Sequence, residues 1–280
     1  MSTVYHSTLT LKVNRISDDE LLAETSFLSS DREVCAWMRT DVARLQIKDA
    51  GWAVYRSPQA TVSFQHLPEL VGMEAYLDSG PRLKNALGGK YPELARELLS
   101  ECIRGIIQSE TFFYTERGFI DPAQYDDFWD KLYVNSCHYY SHLDQIDKPW
   151  MEYAGGEGQR RGCLFTRCQS VSIHEESPAG FLVDAVFIDS FHELSVRMMV
   201  DNSSVVKRTA ADYRRAPDKI CWNNTRHLDK LEGQHLILLN KKDIANLAGG
   251  PEGCHHLVDL LYSVCQAAHT LWLQNQEAFI

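Results

Sequence analysis

The sequence predicts an α+β protein of two repeated units, each an antiparallel sheet with helices on one face, the pair related by a pseudo-twofold axis. Three observations predict it. Two segments resemble each other at a fixed offset, each opens with alternating apolar and polar residues, and each closes with apolar residues at helical spacing.

The offset comes first. Residues 65–72 read Gln-His-Leu-Pro-Glu-Leu-Val-Gly and residues 226–233 read Arg-His-Leu-Asp-Lys-Leu-Glu-Gly, 161 positions apart. At that spacing Leu77 answers Leu238, Asn85 answers Asn246, and Gly88-Gly89 answer Gly249-Gly250; upstream, Met38 answers Met199 and Ala50 answers Ala211. Past Gly250-Pro251-Glu252-Gly253 the second segment carries two extra residues, and at an offset of 163 Leu94, Ser100 and Cys102 answer Leu257, Ser263 and Cys265. An offset that changes only at a Gly/Pro turn marks an internal duplication. The predicted organisation is a first repeat over 1–113, a connecting insert over 114–162 and a second repeat over 163–280.

The elements follow in order. Alternation with β-branched residues predicts strands at 7–13 and 169–173, then 21–28 and 181–188, 34–43 and 194–200, and 45–55 and 205–213. The His-Leu-x-x-Leu-x-Gly segment predicts the start of a short helix, closed by a Gly-Gly pair suited to a C-cap. Longer helices are predicted over about Pro92–Tyr114 and Gly253–Gln276, where Leu94, Leu98, Cys102 and Ile106 recur at helical spacing.

Composition narrows the function classes. With 280 residues, 44% hydrophobic and 24% charged, the chain is a globular protein with enough length for two cores. A net charge of −10 argues against nucleic acid as a partner, because phosphate backbones are bound by clustered Lys and Arg. No apolar run is long enough to span a membrane. The start, Met1-Ser2-Thr3-Val4-Tyr5-His6, lacks the regions of a signal peptide, so a cytoplasmic location is expected. None of the eight cysteines forms a Cys-x-x-Cys pair, so buried, reduced thiols are expected.

The insert region is the part of the chain that points to chemistry. Residues 112–153 hold twelve of the 29 aromatic residues. A solvated linker needs none, so this segment must pack, either to fasten the two repeats or also to wall a pocket for an aromatic ligand. Phe128, Trp129, Trp150 and Tyr153, with Arg197, are the predicted substrate-binding residues. Within Cys137-His138-Tyr139-Tyr140-Ser141-His142, helical spacing would put His138 and His142 on one face, where they can work as acid or base, hold a metal, or only pack. Lys148, beside Pro149 and Trp150, either serves as a proton donor or reaches to water. His66 and His227, matched by the repeat, are expected to share a structural job. Cys254, opening the last helix with His255 and His256, is a weaker option as a nucleophile. Motifs for dinucleotides, nucleoside triphosphates and serine hydrolases are absent.

The second segment resembles the bacterial domain-of-unknown-function family 2889, on Leu231-Glu232-Gly233, the helix through Gly249-Gly250 and Gly253-Cys254-His255-His256-Leu257. The first segment is similar to a degenerate member, with Lys90-Tyr91-Pro92-Glu93-Leu94 in place of that last entry. The helices around Gly233–Leu271 are also similar to part of iron–sulfur scaffold proteins, which need three well-placed cysteines where this chain brings Cys254. Over its whole length the chain resembles bacterial lyases that remove formaldehyde from lignin-derived phenylcoumarans.

That last resemblance implies a cofactor-independent lyase for a small phenolic aromatic, giving a stilbene by acid–base catalysis without a metal. His138 or His142 would be the base, and Tyr139, Tyr140 and Lys148 the partners of the departing phenolate. Two other readings stay open: a binding protein for an aromatic or acyl molecule, and a metal protein using Cys137, His138, His142 and Cys163 or Cys254. A second copy of the chain, as a homodimer, is the one protein partner considered.

Overall fold

The computed structural model describes residues 2–156, 158, 160–176 and 180–277. Nine strands are hydrogen-bonded into one antiparallel sheet in the order β5-β4-β3-β2-β1-β6-β7-β8-β9. The strands are β1 (Ser2–Arg15), β2 (Glu20–Ser29), β3 (Glu33–Asp41), β4 (Ile47–Arg56), β5 (Ser63–His66), β6 (Cys163–Glu176), β7 (Gly180–Asp189), β8 (Glu193–Val200) and β9 (Val206–Arg215). The eight strands expected from alternation are all present, but they belong to one sheet rather than two. β5 was not foreseen: Ser63–His66 lacks an alternating pattern and is held by pairing with β4.

The helices are α1 (Ser79–Leu87), α2 (Glu93–Ser109), α3 (Pro122–Leu132), α4 (His138–Ser141), α5 (Trp150–Ala154), α6 (Lys241–Ala248) and α7 (His255–Glu277). The His-Leu-x-x-Leu-x-Gly segments do not start α1 and α6. Each forms a 3₁₀ turn, Pro68–Leu70 or the end of Lys219–Leu231, stopped at Gly72 (φ 84°) and Gly233 (φ 82°), a backbone conformation that favours glycine. α2 ends at Ser109, five residues short of the predicted limit, and two 3₁₀ turns carry the chain on to Arg117. Among the described residues no helix is long and apolar enough to cross a membrane.

The chain divides into two compact units. The N-terminal unit is Thr8–Tyr125 with Ala154–Cys168; the C-terminal unit is Met1–Ser7, Asp126–Tyr153 and Gln169–Ile280. In the N-terminal unit α2 packs on β2 and β3. Thr25 donates to the Leu98 carbonyl at 3.2 Å, and Gly105 lets α2 approach Leu11 and Val13. A carboxylate is buried here too: Glu110 accepts from the Tyr76 hydroxyl at 2.8 Å and from Arg117 Nε at 2.9 Å.

In the C-terminal unit the core joins Val171, Ile173, Phe187 and Met198 of the strands to Leu257, Leu261, Val264 and Cys265 of α7. Tyr139 is part of the same core, so this stretch of the aromatic segment is interior structure. α6 carries a full capping box, with Asn240 accepting from Lys242 N and Asp243 N.

The two units share local detail. β3 and β4 slip register between Glu33/Val34 and between Arg39/Thr40; β8 and β9 slip between Glu193/Leu194 and between Met199/Val200. Arg56 donates to the carbonyls of Ser29, Ser30 and Arg32, while Arg215 donates to those of Asp189, Ser190 and His192. These features do not support two matches expected from sequence, Met38 with Met199 and Ala50 with Ala211. Met38 is buried and paired with Ala50, and Met198 is buried and paired with Thr209, whereas Met199 points the other way and is 38% exposed. A one-residue slip along a strand reverses the face, and residue identity alone does not detect it.

Candidate functional site

The site lies in the C-terminal unit and is built on Asp126–Tyr153. Asp126 and Asp130 are one turn apart on α3, both half-buried. Asp126 accepts the Met151 N–H at 3.1 Å at the start of α5. Burial raises its pKa to about 6, with Asp130 adding to the rise against the Met151 hydrogen bond. The Asp130 carboxyl is raised as well, by burial and then Asp127.

Tyr139 lies in the field of these carboxyls. Its side chain is buried and its hydroxyl has no hydrogen-bond partner among the described residues. Burial, and then the charges of Asp130 and Asp126, push that phenol well above its usual range. Aromatic rings run on from it: Tyr139 meets Tyr140 edge to face at 5.1 Å, Tyr140 lies 5.3 Å from Tyr133, and Tyr133 stacks on Trp129 at 5.2 Å. Such offset and edge contacts suit the ring quadrupole and would suit a further aromatic ring.

One helical turn carries the two histidines. α4 spans only His138–Ser141, yet the His138 and His142 rings come within 4.2 Å, as the i, i+4 spacing requires. Glu252 stands opposite them, 3.6 Å from His138 Nδ1 through Oε2 and 3.6 Å from His142 Nε2 through Oε1. Arg226 holds Glu252 Oε2 at 2.7 Å. His227 Nε2 donates to the Glu252 carbonyl, and Lys230 Nζ donates to His227 Nδ1 at 3.0 Å. Burial, and then the neighbouring His142, hold the His138 imidazole below its usual pKa.

The other predicted residues are more dispersed. Phe128 packs edge-on to Trp129 at 5.3 Å. Trp150 leans on Phe191 at 4.7 Å, and the Tyr153 hydroxyl donates to the Phe191 carbonyl. Lys148 is exposed and pairs with Glu152 at 2.9 Å; Arg197 is 65% exposed and donates to Asp184 at 2.6 Å. Both are ordinary surface pairs, Lys148 one helical turn from its partner and Arg197 across two strands. His66 and His227 do not share a job. His66 is exposed and bonds Asp49, whereas His227 is buried and bonds Glu252. Cys254 makes a poor nucleophile, because burial pushes its thiol up to about 11.

Asp126, Asp130, Glu252 and Arg226 were not singled out from sequence. For Glu252 a signal existed: it lies in the Gly250–Gly253 stretch where the repeat offset changes. For Asp126 none did, since its shift comes from burial in tertiary structure.

Residues 181–270 match the model of a family described as a protein of unknown function (DUF2889). This agrees with the resemblance read from the second segment and covers most of β7 to α7. No curated protein and no solved structure matches the chain.

Proposed function

We propose that Asp126–Tyr153 forms an acid–base centre for a phenolic aromatic, and that the chain is a lyase releasing formaldehyde from a phenylcoumaran-type substrate. The observation that carries the centre is the Tyr139 hydroxyl, buried without a partner among the described residues in the field of two half-buried carboxyls. Buried polar groups are almost always satisfied, so an orphan beside titratable groups is a place for a ligand atom. The substrate class comes from the resemblance of the whole chain to phenylcoumaran lyases.

In this reading the substrate's para-phenol reacts as its phenolate, and Asp126, ionised above about 6, takes the proton of the primary alcohol and passes it on to the departing aryl oxygen. The aryl ether C–O bond opens to a quinone methide, and the Tyr139 hydroxyl donates to the departing phenolate oxygen. Collapse of the alkoxide breaks the bond to the hydroxymethyl carbon, expels formaldehyde and returns the electron pair to the quinone methide, leaving a stilbene. No net oxidation occurs. Asp126 is preferred to His138 and His142 as base because those two imidazoles face each other and Glu252.

The test is incubation with a phenylcoumaran. Formaldehyde and a stilbene should form, with turnover falling about 10²–10⁴-fold in Asp126→Asn and Tyr139→Phe. A raised melting temperature without product would refute the lyase and favour a binding protein.

We also infer that the two units descend from one duplicated domain. Supporting this are the paired register shifts, the Arg56 and Arg215 clamps, and buried Cys102 and Cys265 one turn beyond Leu98 and Leu261. A separately expressed copy of either half that folds by itself would support this descent.

A further inference from the structure

We propose that His138, His142 and Glu252 bind one divalent transition-metal ion, zinc by preference, with the remaining position open to water. This goes beyond the acid–base reading and does not rest on it. Its donor set also differs from the cysteine–histidine set considered from sequence: a carboxylate replaces the thiols.

The spacing is the first argument. One donor atom from each residue lies within 4.8 Å of the other two. Each imidazole nitrogen is 3.6 Å from a Glu252 oxygen. That is too far for a hydrogen bond, which weakens beyond about 3.2 Å. It is close to the roughly 3.3 Å separating two donors that share a tetrahedral ion at about 2.0–2.1 Å. The three side chains therefore converge without bonding one another.

The second argument is the tautomer. His142 Nδ1 lies 2.9 Å from the His138 carbonyl, which can only accept, so Nδ1 carries the proton. In the neutral ring Nε2 keeps the lone pair, on the side that faces Glu252. A ring nitrogen donating to a backbone carbonyl is the usual support behind a metal-bound imidazole.

The third is the orphan. His138 is 6% exposed and its Nδ1 is buried with no hydrogen-bond partner among the described residues. A buried nitrogen aimed at a carboxylate it does not reach needs a third body between them. A cation there satisfies the nitrogen and joins Arg226 on the Glu252 carboxylate, and imidazole with carboxylate selects zinc-like ions over magnesium or calcium.

The surroundings fix the donors in place. His138 N donates to the Gly253 carbonyl at 2.8 Å, tying α4 to the Glu252 segment. Arg226 and His227 hold the Glu252 carboxylate and carbonyl from the Lys219–Leu231 turn. Glu252 is 57% exposed, which leaves a side open to water or a ligand. A second trio, Asp189, His192 and His256, also lies within 4.8 Å, but Asp189 Oδ1 already accepts from Phe191 N, His192 N and His192 Nδ1.

The experiment uses the full chain, stripped with a chelator and titrated with Zn²⁺ by calorimetry and with Co²⁺ by visible absorption. The wild type should bind about one equivalent, and Zn²⁺ should raise its melting temperature. His142→Ala and Glu252→Gln, both at partly exposed positions, should keep the fold by circular dichroism and weaken binding at least about 10-fold. Binding of less than about a tenth of an equivalent overturns the proposal, as does unchanged affinity in both variants. Neither result depends on lyase turnover, so the two readings fail separately.

Discussion

The Asp126 carboxylate accepts the Met151 N–H at 3.1 Å, and its pKa is still raised to about 6. A hydrogen bond to a carboxylate stabilises the charged form, so here burial outweighs it. The protein carries a desolvated acid where a neutral amide would serve the helix start equally well.

That acid should leave a signature in stability. The folded pKa is raised above the unfolded value, so the folded state holds the proton more tightly between about pH 4 and 6. Stability from this group is therefore full below the unfolded pKa and is lost as pH rises through about 6. Asp126→Asn should flatten that pH dependence and raise the melting temperature at pH 7 by about 2–4 °C, as thermal melts across pH 4–8 would show. A lower melting temperature at pH 7 would count against a strained carboxyl.

The same group should govern the rate. If ionised Asp126 is the base, kcat/KM rises with pH along a limb centred near about 6 and levels off above it. The limb should vanish in Asp126→Asn. A limb unchanged in that variant moves the base to another residue.

Tyr139→Phe separates structure from chemistry. The hydroxyl is buried and makes no hydrogen bond among the described residues, so its removal should leave the melting temperature unchanged or slightly higher. Turnover should nevertheless fall about 10²-fold or more. Loss of both together would make Tyr139 a packing residue.

Gly105 tests how α2 meets the sheet. A Cβ there would stand 2.8 Å from Leu11 Cδ2 and 2.9 Å from Val13 Cγ2, on side chains that are fully buried. Alanine is the better helix former by about 1 kcal/mol, and overpacking costs about 1–3 kcal/mol. Gly105→Ala should therefore destabilise by about 1 kcal/mol in denaturant melts. A gain in stability would mean that the sheet yields.

Arg215 supports the hairpin beneath Trp150. It donates to the Asp189 and Ser190 carbonyls at 2.6 Å, and Phe191 beside them carries the Trp150 ring. Arg215→Ala should cost about 1–3 kcal/mol and shift Trp150 fluorescence. Arg56→Ala should cost a similar amount without that optical change.

Much of the fold was legible because alternation and helical spacing are local properties. The eight predicted strands and the positions of α2 and α7 follow from them. β5 was not legible, since Ser63–His66 is a strand only because β4 offers an edge. A single joined sheet was not legible either, because residue pattern does not say which strands meet. At the site, the i, i+4 spacing put His138 and His142 together even on one turn of helix. Their carboxylate, Glu252, lies more than a hundred residues away and is delivered by tertiary packing. Lys148 and Arg197, expected at the site from residue type, lie in surface ion pairs with Glu152 and Asp184.

The most direct test of the acid–base account is a phenylcoumaran carrying ¹³C at its hydroxymethyl carbon. The account predicts labelled formaldehyde and unlabelled stilbene in equal amounts from the wild type, and release of both about 10²–10⁴-fold slower from Asp126→Asn. Recovery of the intact labelled substrate, with or without binding, would contradict it.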